Sequence, residues 1–382
     1  MTVDRAGRRV DRSRRRWRTV ALTAPLALAG LVSATLVARS DPPVQQVTVR
    51  AGDDLEVRCE GRRLETRDRD RTTWRGRCHG PAPTTSTTVP PTTTRPPTTT
   101  TTTPAPGDDP WVRPSQTGFR VPETSLRVVG TPGRCLFASE LGVGDGGTIT
   151  GYRIRGILAL DRRNLRVVDN WLEEGVRVTL GCGVGGAGVG AVVEHNEIGP
   201  RDRAILGGNA IGDGHYTARY NNIHNFEDGC RCNGNVVFEH NWVHDLAGGP
   251  GAHNDPVQLT DNGDPAAGWG GPTYIRFNWL ENPFTQTGVI TLGADTGPVR
   301  WPVIIEGNRI DGGGYSLYGG WSPNPANDPT DVRIIGNTWF KSFWPCGGHY
   351  GPVIYLPRPG RYTWSGNRWA DGRELTPSGP AC

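Results

Sequence analysis

Within 382 residues, 54 Gly and 32 Pro stand beside only 21% charged side chains, a balance that excludes a long helical bundle and suits a turn-rich β protein. The formal net charge of +4 would suit a nucleic-acid partner, but eight Arg fall in residues 1–18, and ten more, with eight acids, in 39–80. From residue 108 onward acidic residues outnumber basic ones, 28 to 23, which excludes a basic nucleic-acid surface on the main domain.

Residues 1–18 read as an Arg-rich cytoplasmic tail, and residues 19–38 (TVALTAPLALAGLVSATLVA) carry no charge. Such a run reaches across a bilayer as a helix, and the flanking arginines hold the N-terminus inside. It predicts a transmembrane signal anchor; the alternative is a cleaved signal peptide and a secreted product. Either reading places the rest of the chain outside the cell. Residues 39–80 alternate in VTVR and LEVRC, predicting a small extracellular β unit stapled by Cys59–Cys78. Residues 81–107 are Thr/Pro-rich, a semi-rigid linker that buries no core.

From 108 to 382 one signature recurs: a short apolar or aromatic run, then Asn, any one residue, and Ile, Leu, Val or Trp. RVVDNWL, VVEHNEI, FEHNWV and IIEGNRI are examples. The asparagines are Asn170, Asn196, Asn221, Asn241, Asn278, Asn308, Asn337 and Asn367, with gaps of 20 to 37 residues. A period in that range signals a solenoid. Helical spacing is absent, and the runs are broken by Gly, Asn, Asp and Pro, which is strand-and-turn chemistry. The gaps are too short for propeller blades of about 40–45 residues. The fold expected is all-β, a right-handed parallel β-helix whose complete coils begin near Thr148. Asn tolerates left-handed backbone and bonds local backbone, so the repeated Asn is expected at the turn, its amide reaching the next coil about 4.8 Å away. Cys230 and Cys232 alternate and are expected inside as small apolar residues, and Cys346 with Cys382 offers a staple.

The Asn ladder, followed by Gly-rich strands bearing aspartates, resembles the pectin-lyase-like superfamily of parallel β-helices over roughly residues 125–375. The resemblance implies a saccharide-binding groove along one strand row and a carbohydrate-active protein, without fixing the reaction. The Gly-His-Gly and Asp-Pro-His signatures of its polygalacturonase and alginate-epimerase branches are not in this chain.

That strand row aligns as VRVTLG (176–181), RAILGG (203–208), GCRCNG (229–234), PVQLTD (256–261), VITLGA (289–294), YSLYGG (315–320) and VIYLPR (353–358). Alternation puts Ala204, Leu206, Cys230, Cys232, Val257, Leu259 and Leu317 inside. Arg177, Ile205, Arg231, Gln258, Thr291, Tyr318 and Tyr355 then face outward. Asp202, Asp228 and Asp255 precede three consecutive versions of the strand and are expected to stack in a column. As oxygen ligands the three would hold Ca²⁺, with Arg231 or His253 as the base of a β-elimination. As acid and base of an inverting hydrolase, a two-coil pair such as Asp202 and Asp255 would span about 6.5–9.5 Å. Otherwise they cap turns.

His253-Asn254-Asp255-x-x-Gln258 closes the longest loop entering the row, a place where function concentrates. Trp242 and Trp279 share a ladder position and offer a stacking platform for sugar. His224 and His244, three residues after their ladder Asn, are expected to stack on each other. The expected function is a polysaccharide lyase or glycoside hydrolase acting on an acidic or cell-wall glycan. Its catalytic set is Asp228, Arg231, His253 and Asp255, and its substrate contacts are Asp202, Gln258, Trp242, Trp279 and Tyr318. The alternative is a non-catalytic glycan-binding or structural β-helix. Possible Ca²⁺, a membrane through residues 19–38, no nucleic acid and a monomer complete the expectation.

Overall fold

Runs such as VVFE (236–239) and VIIE (303–306) put apolar side chains at alternate positions, and that row is buried: Val236, Phe238, Val303 and Ile305 are all 0% exposed. The computed structural model describes residues 20–23, 33–36, 56–60, 63–67 and 73–77. It also describes 109–377 except 250, 264–269, 294–296 and 323. The chain divides into two units, Met1–Thr100 and Thr101–Cys382.

In the first unit, Val20–Thr23 and Ser33–Leu36 pair as antiparallel strands. Glu56–Glu60, Arg63–Arg67 and Thr73–Arg77 form a three-stranded antiparallel sheet. The described pieces of 19–38 are therefore strands and not the expected helix. Val and Thr favour strand, and Pro25 would interrupt a helix started at residue 19. No helix of the described residues is long and apolar enough to cross a membrane. The remainder of 19–38, the tail 1–18, Cys78 and the linker 81–107 lie outside the described residues.

Among the described residues the second unit holds three parallel sheets with nine, nine and ten strands. Each coil gives one strand to each sheet. Sheet 1 takes the strand before the repeated Asn (Val236–Glu239, for example), sheet 2 the strand after it (Trp242–Val243), and sheet 3 the strand beyond the next loop (Val257–Leu259). Neighbours within a sheet come from successive coils, the three-strand cycle of a parallel β-helix. The first sheet-1 strand is Thr148–Thr150, but Arg127–Val129 already pairs in sheet 2 and Cys135–Phe137 in sheet 3, so coiling begins earlier than the expected Thr148.

Every ladder Asn is at most 1% exposed. Asn241 shows the pattern: its backbone N–H donates to Asn278 Oδ1 at 2.8 Å, and its Nδ2 donates to the same oxygen at 3.2 Å and to Ala218 O at 2.9 Å. The chain of bonds is continuous from Asn170 to Asn367. The left-handed backbone, however, falls one residue earlier than expected. Asp169, His195, Tyr220, His240 and Phe277 have φ of 52–58°, and Gly307, Gly336 and Gly366 occupy the same place. The Asn N–H is committed along the axis to the next Asn, so the reversal is left to its predecessor. Rings at these positions stack from coil to coil (His195–Tyr220 4.9 Å, Tyr220–His240 5.0 Å, His240–Phe277 5.3 Å), which offsets part of a left-handed cost of about 1–2 kcal/mol each.

The lead-in runs along the axis as a strap across this corner. Val112 N–H donates to Phe277 O at 3.0 Å, Gly118 N–H to Tyr220 O at 3.0 Å, and Arg120 N–H to Asp169 Oδ1 at 3.0 Å. Cys135 is bonded to Cys182, and Cys230 to Cys232, the latter two buried inside as expected. Cys346 is disulfide-bonded, and Cys382 lies outside the described residues.

Candidate functional site

Sheet 3 sets the register of the candidate residues. Arg231 pairs with Gln258, Gln258 with Thr291, and Thr291 with Tyr318, so these four form one outward row as read from the sequence. Arg177 continues the row two coils earlier, but its neighbour is Gly212, not Ile205. Strand Ile205–Gly212 pairs with the preceding coil through Ile211 and Gly212 and with the following coil at Ile205, Asn209 and Ile211, whereas Leu206 is 53% exposed and Ala204 is also exposed. The expected alignment of 203–208 therefore falls too early in the strand, with Gly212 standing where Ile205 was expected, because RAILGG and NAIG both alternate and only pairing distinguishes them. At the far end Tyr318 pairs with Ile354, and Tyr355 lies just past the strand.

The same register decides the aspartates. Cys230 opposes Val257, which brings Asp228 and Asp255 side by side on consecutive coils; the Asp255 N–H donates to Asp228 Oδ1 at 3.1 Å. Asp202 does not join them. Asn209 opposes Asp228 instead, and the Asp202 side chain is 82% exposed beside Arg203 at 3.3 Å. The three-carboxylate column is thus a pair, and the two-coil spacing for an inverting hydrolase is not formed.

Both members share the inward parity of Cys230 and Val257, at the entrance to the strand, and are 7% (Asp228) and 0% (Asp255) exposed. Burial pushes the Asp228 carboxyl up to about 8, with the neighbouring Asp255 charge next in weight. Burial also lifts Asp255 to about 7, against the opposing hydrogen bonds of Thr291 and Gly288. Asp255 Oδ1 accepts from the Thr291 hydroxyl at 2.5 Å and the Gly288 N–H at 3.1 Å; Oδ2 accepts from Gln258 Nε2 at 3.3 Å. These donors favour ionised Asp255, so the proton of the pair resides on Asp228.

Ca²⁺ requires six to eight oxygen ligands. Asp255 spends its oxygens on protein donors, Asp228 offers one free oxygen, and no cluster of three or more metal-ligating side chains occurs among the described residues. The expected three-aspartate Ca²⁺ site does not fit this donor set.

Arg231 is fixed on the outward row, its Nε and Nη2 donating to Gln258 Oε1 at 3.1 and 2.7 Å. His253 is exposed, its backbone N–H held by Glu227 Oε1 at 2.9 Å. Behind it Asn254 is fully buried and donates to Glu227 O and Ala247 O, pinning the long loop. Trp242 and Trp279 do oppose each other, with ring centroids 6.4 Å apart, but on sheet 2, so they share no sheet with the carboxyls. Trp242 is stacked by His244 at 3.5 Å and Trp279 is covered by the Arg309 guanidinium at 4.1 Å. His224 and His244 stand 5.5 Å apart, as their spacing requires.

Sequence reasoning missed Asp213, which faces the charges of Arg177 and Arg231, and Glu227, which ties loop to strand. It also missed Trp321 and Tyr350 around Tyr318. The recurrence of Tyr near the ends of the last two sheet-3 strands (Tyr315, Tyr318, Tyr350, Tyr355) was the available signal. Comparison of the chain with models of known families, with curated proteins and with solved structures finds no match.

Proposed function

We propose that the second unit is a right-handed β-helix of the pectin-lyase-like kind and that the protein acts outside the cell as a carbohydrate-active protein with sheet 3 as its glycan face. The observation that carries this reading is the Asp228–Asp255 pair at the entrance to a row of Arg231, Gln258, Thr291 and Tyr318. A buried carboxyl that keeps its proton to about pH 8 can protonate a departing glycosidic oxygen, the step that hydrolysis and elimination share. Asp228, with one oxygen unengaged, is that acid. Asp255, wholly buried, is a positioning residue, and Arg231 with Gln258 orients the sugar. His253, exposed at the end of the loop, is the base available from the solvent side.

A second reading, a non-catalytic glycan binder, is favoured by one observation: Asp228 caps the Asp255 N–H and Asp255 caps the Gly288 N–H, so the pair already serves the backbone. Digestion of a panel of neutral and acidic polysaccharides, followed by reducing-end and ultraviolet assays for unsaturated ends, separates the two. Catalysis predicts turnover that falls about 10²–10⁴-fold in Asp228→Asn. Binding of glycan without turnover leaves the second reading, and no binding at all removes both.

A further inference from the structure

The C-terminal end of the sheet-3 face carries a group of aromatic rings of which the acid–base reading uses Tyr318 alone. Tyr315 and Tyr318 lie edge to face at 5.7 Å on one coil. Tyr350 joins Tyr315 at 5.8 Å and Tyr355 joins Tyr318 at 6.2 Å from the next coil, and Trp321 stacks on Tyr355 at 6.0 Å. The outer three are exposed large hydrophobic side chains: Tyr350 58%, Tyr355 53% and Trp321 42%.

Two features define what this arc accepts. Its members are four phenols and an indole, flat faces with polar edges. The exposed aliphatic side chains, Val128, Leu180, Val189 and Leu206, belong to earlier coils. The five members carry no charge of their own to meet an anion, and Arg358 at the border is engaged by Asp328 at 2.8 Å, a carboxylate it shares with Arg361 at 3.2 Å. An aliphatic protein surface or an acidic ligand finds no match here. A pyranose ring does, because its C–H face lies on an aromatic face while its hydroxyls meet the phenol oxygens. The arc also continues the outward row, since Tyr318 follows Thr291 in register.

We propose that Trp321, Tyr355, Tyr318, Tyr315 and Tyr350 form a stacking subsite for uncharged sugar residues, so that the bound glycan is neutral along this end of the groove. The proposal rests on sheet 3 being the glycan face. The test is affinity electrophoresis and calorimetry of the full-length protein with xylan, a soluble β-glucan, galactomannan and polygalacturonate. Tyr355→Ala, Trp321→Ala and Arg231→Gln are compared with Tyr274→Ala, an outward residue of sheet 1.

At least one neutral glycan is expected to bind, about tenfold more weakly in Tyr355→Ala and Trp321→Ala and unchanged in Tyr274→Ala. Neutral glycans that fail to bind, or that bind the two variants as they bind the parent, overturn the subsite. If polygalacturonate alone binds, with Arg231→Gln weakening it, the glycan face survives and only this inference falls. Silence from every polysaccharide removes both.

Discussion

Two polar columns run through the interior of the solenoid, and they solve the same problem with different chemistry. At the corner between sheets 1 and 2, eight asparagines stack without a break. At the entrance to sheet 3, only two aspartates do, ended by Asn209 on one side and Gly288 on the other. An amide carries donor and acceptor together, so each copy satisfies the next and the pattern repeats indefinitely. A carboxylate only accepts, so a second one beside it is repelled unless one holds a proton. The length of each column follows from that difference, and so do the raised affinities for protons at Asp228 and Asp255.

Exchanging the chemistries tests this most severely. Asn278→Asp keeps the oxygen that accepts from Asn241, but turns a second oxygen toward Phe238 O and Asn308 Oδ1, both acceptors. A loss of about 3–5 kcal/mol is expected at neutral pH, partly regained in acid, where the carboxyl can donate. Denaturant midpoints at two pH values measure it. Asn367→Asp, at the last rung, should cost less because no further Asn follows it. Equal losses at both rungs would show that the column does not act as a chain.

The reverse exchange has the opposite sign. Asp228 takes its proton at about 8 in the folded protein against 3.8 in the unfolded chain, so the folded state keeps a proton that the unfolded state releases. The stability this confers is complete in acid and is lost as pH rises from about 4 to about 8, with Asp255 acting the same way up to about 7. Asp228→Asn should raise stability by about 1–3 kcal/mol above pH 7 and flatten the pH profile of thermal unfolding. A parent profile already flat across that window would count against a buried, protonated Asp228.

The asparagine column was legible because it is periodic: eight copies of one residue type in one local context survive gaps of unequal length. The aspartate pair was legible for a weaker reason, the one-residue-per-strand alternation that aligned Arg231 with Gln258. That argument failed at 203–208, where two alternating segments competed and only inter-coil hydrogen bonds choose between them. The inward direction of Asp228 and Asp255 followed from the same parity as Cys230, yet groove position suggested the outer face. Burial is set by neighbouring coils distant in sequence, such as Thr291 and Gly288 over Asp255. The strap was invisible, since Val112 and Gly118 hold it through backbone donors aimed at turn carbonyls, contacts that carry no sequence pattern.

The strap gives a smaller test at the amide column's edge. Arg120 reaches Asp169 with Nε at 2.9 Å and Nη2 at 2.7 Å, and holds that carboxyl below its ordinary range; the arginine is 55% exposed, so solvent screens the pair. Arg120→Ala should cost about 0.5–1 kcal/mol, read as a small shift in the unfolding midpoint that shrinks in high salt.

Gly336 offers the mildest perturbation. Its φ is +63°, and a Cβ there would meet nothing within 4 Å, so Gly336→Asn carries a left-handed strain without a clash. Asn is among the residues that bear this conformation best, and the same place is filled by His or Tyr in earlier coils. The expected loss is about 0.5–1 kcal/mol, with Gly336→Val costing more because a β-branched side chain resists positive φ. If Asn and Val were equally harmful, steric crowding and not backbone conformation would govern the corner, and the tolerance that lets Tyr220 and Phe277 stand there would need another cause.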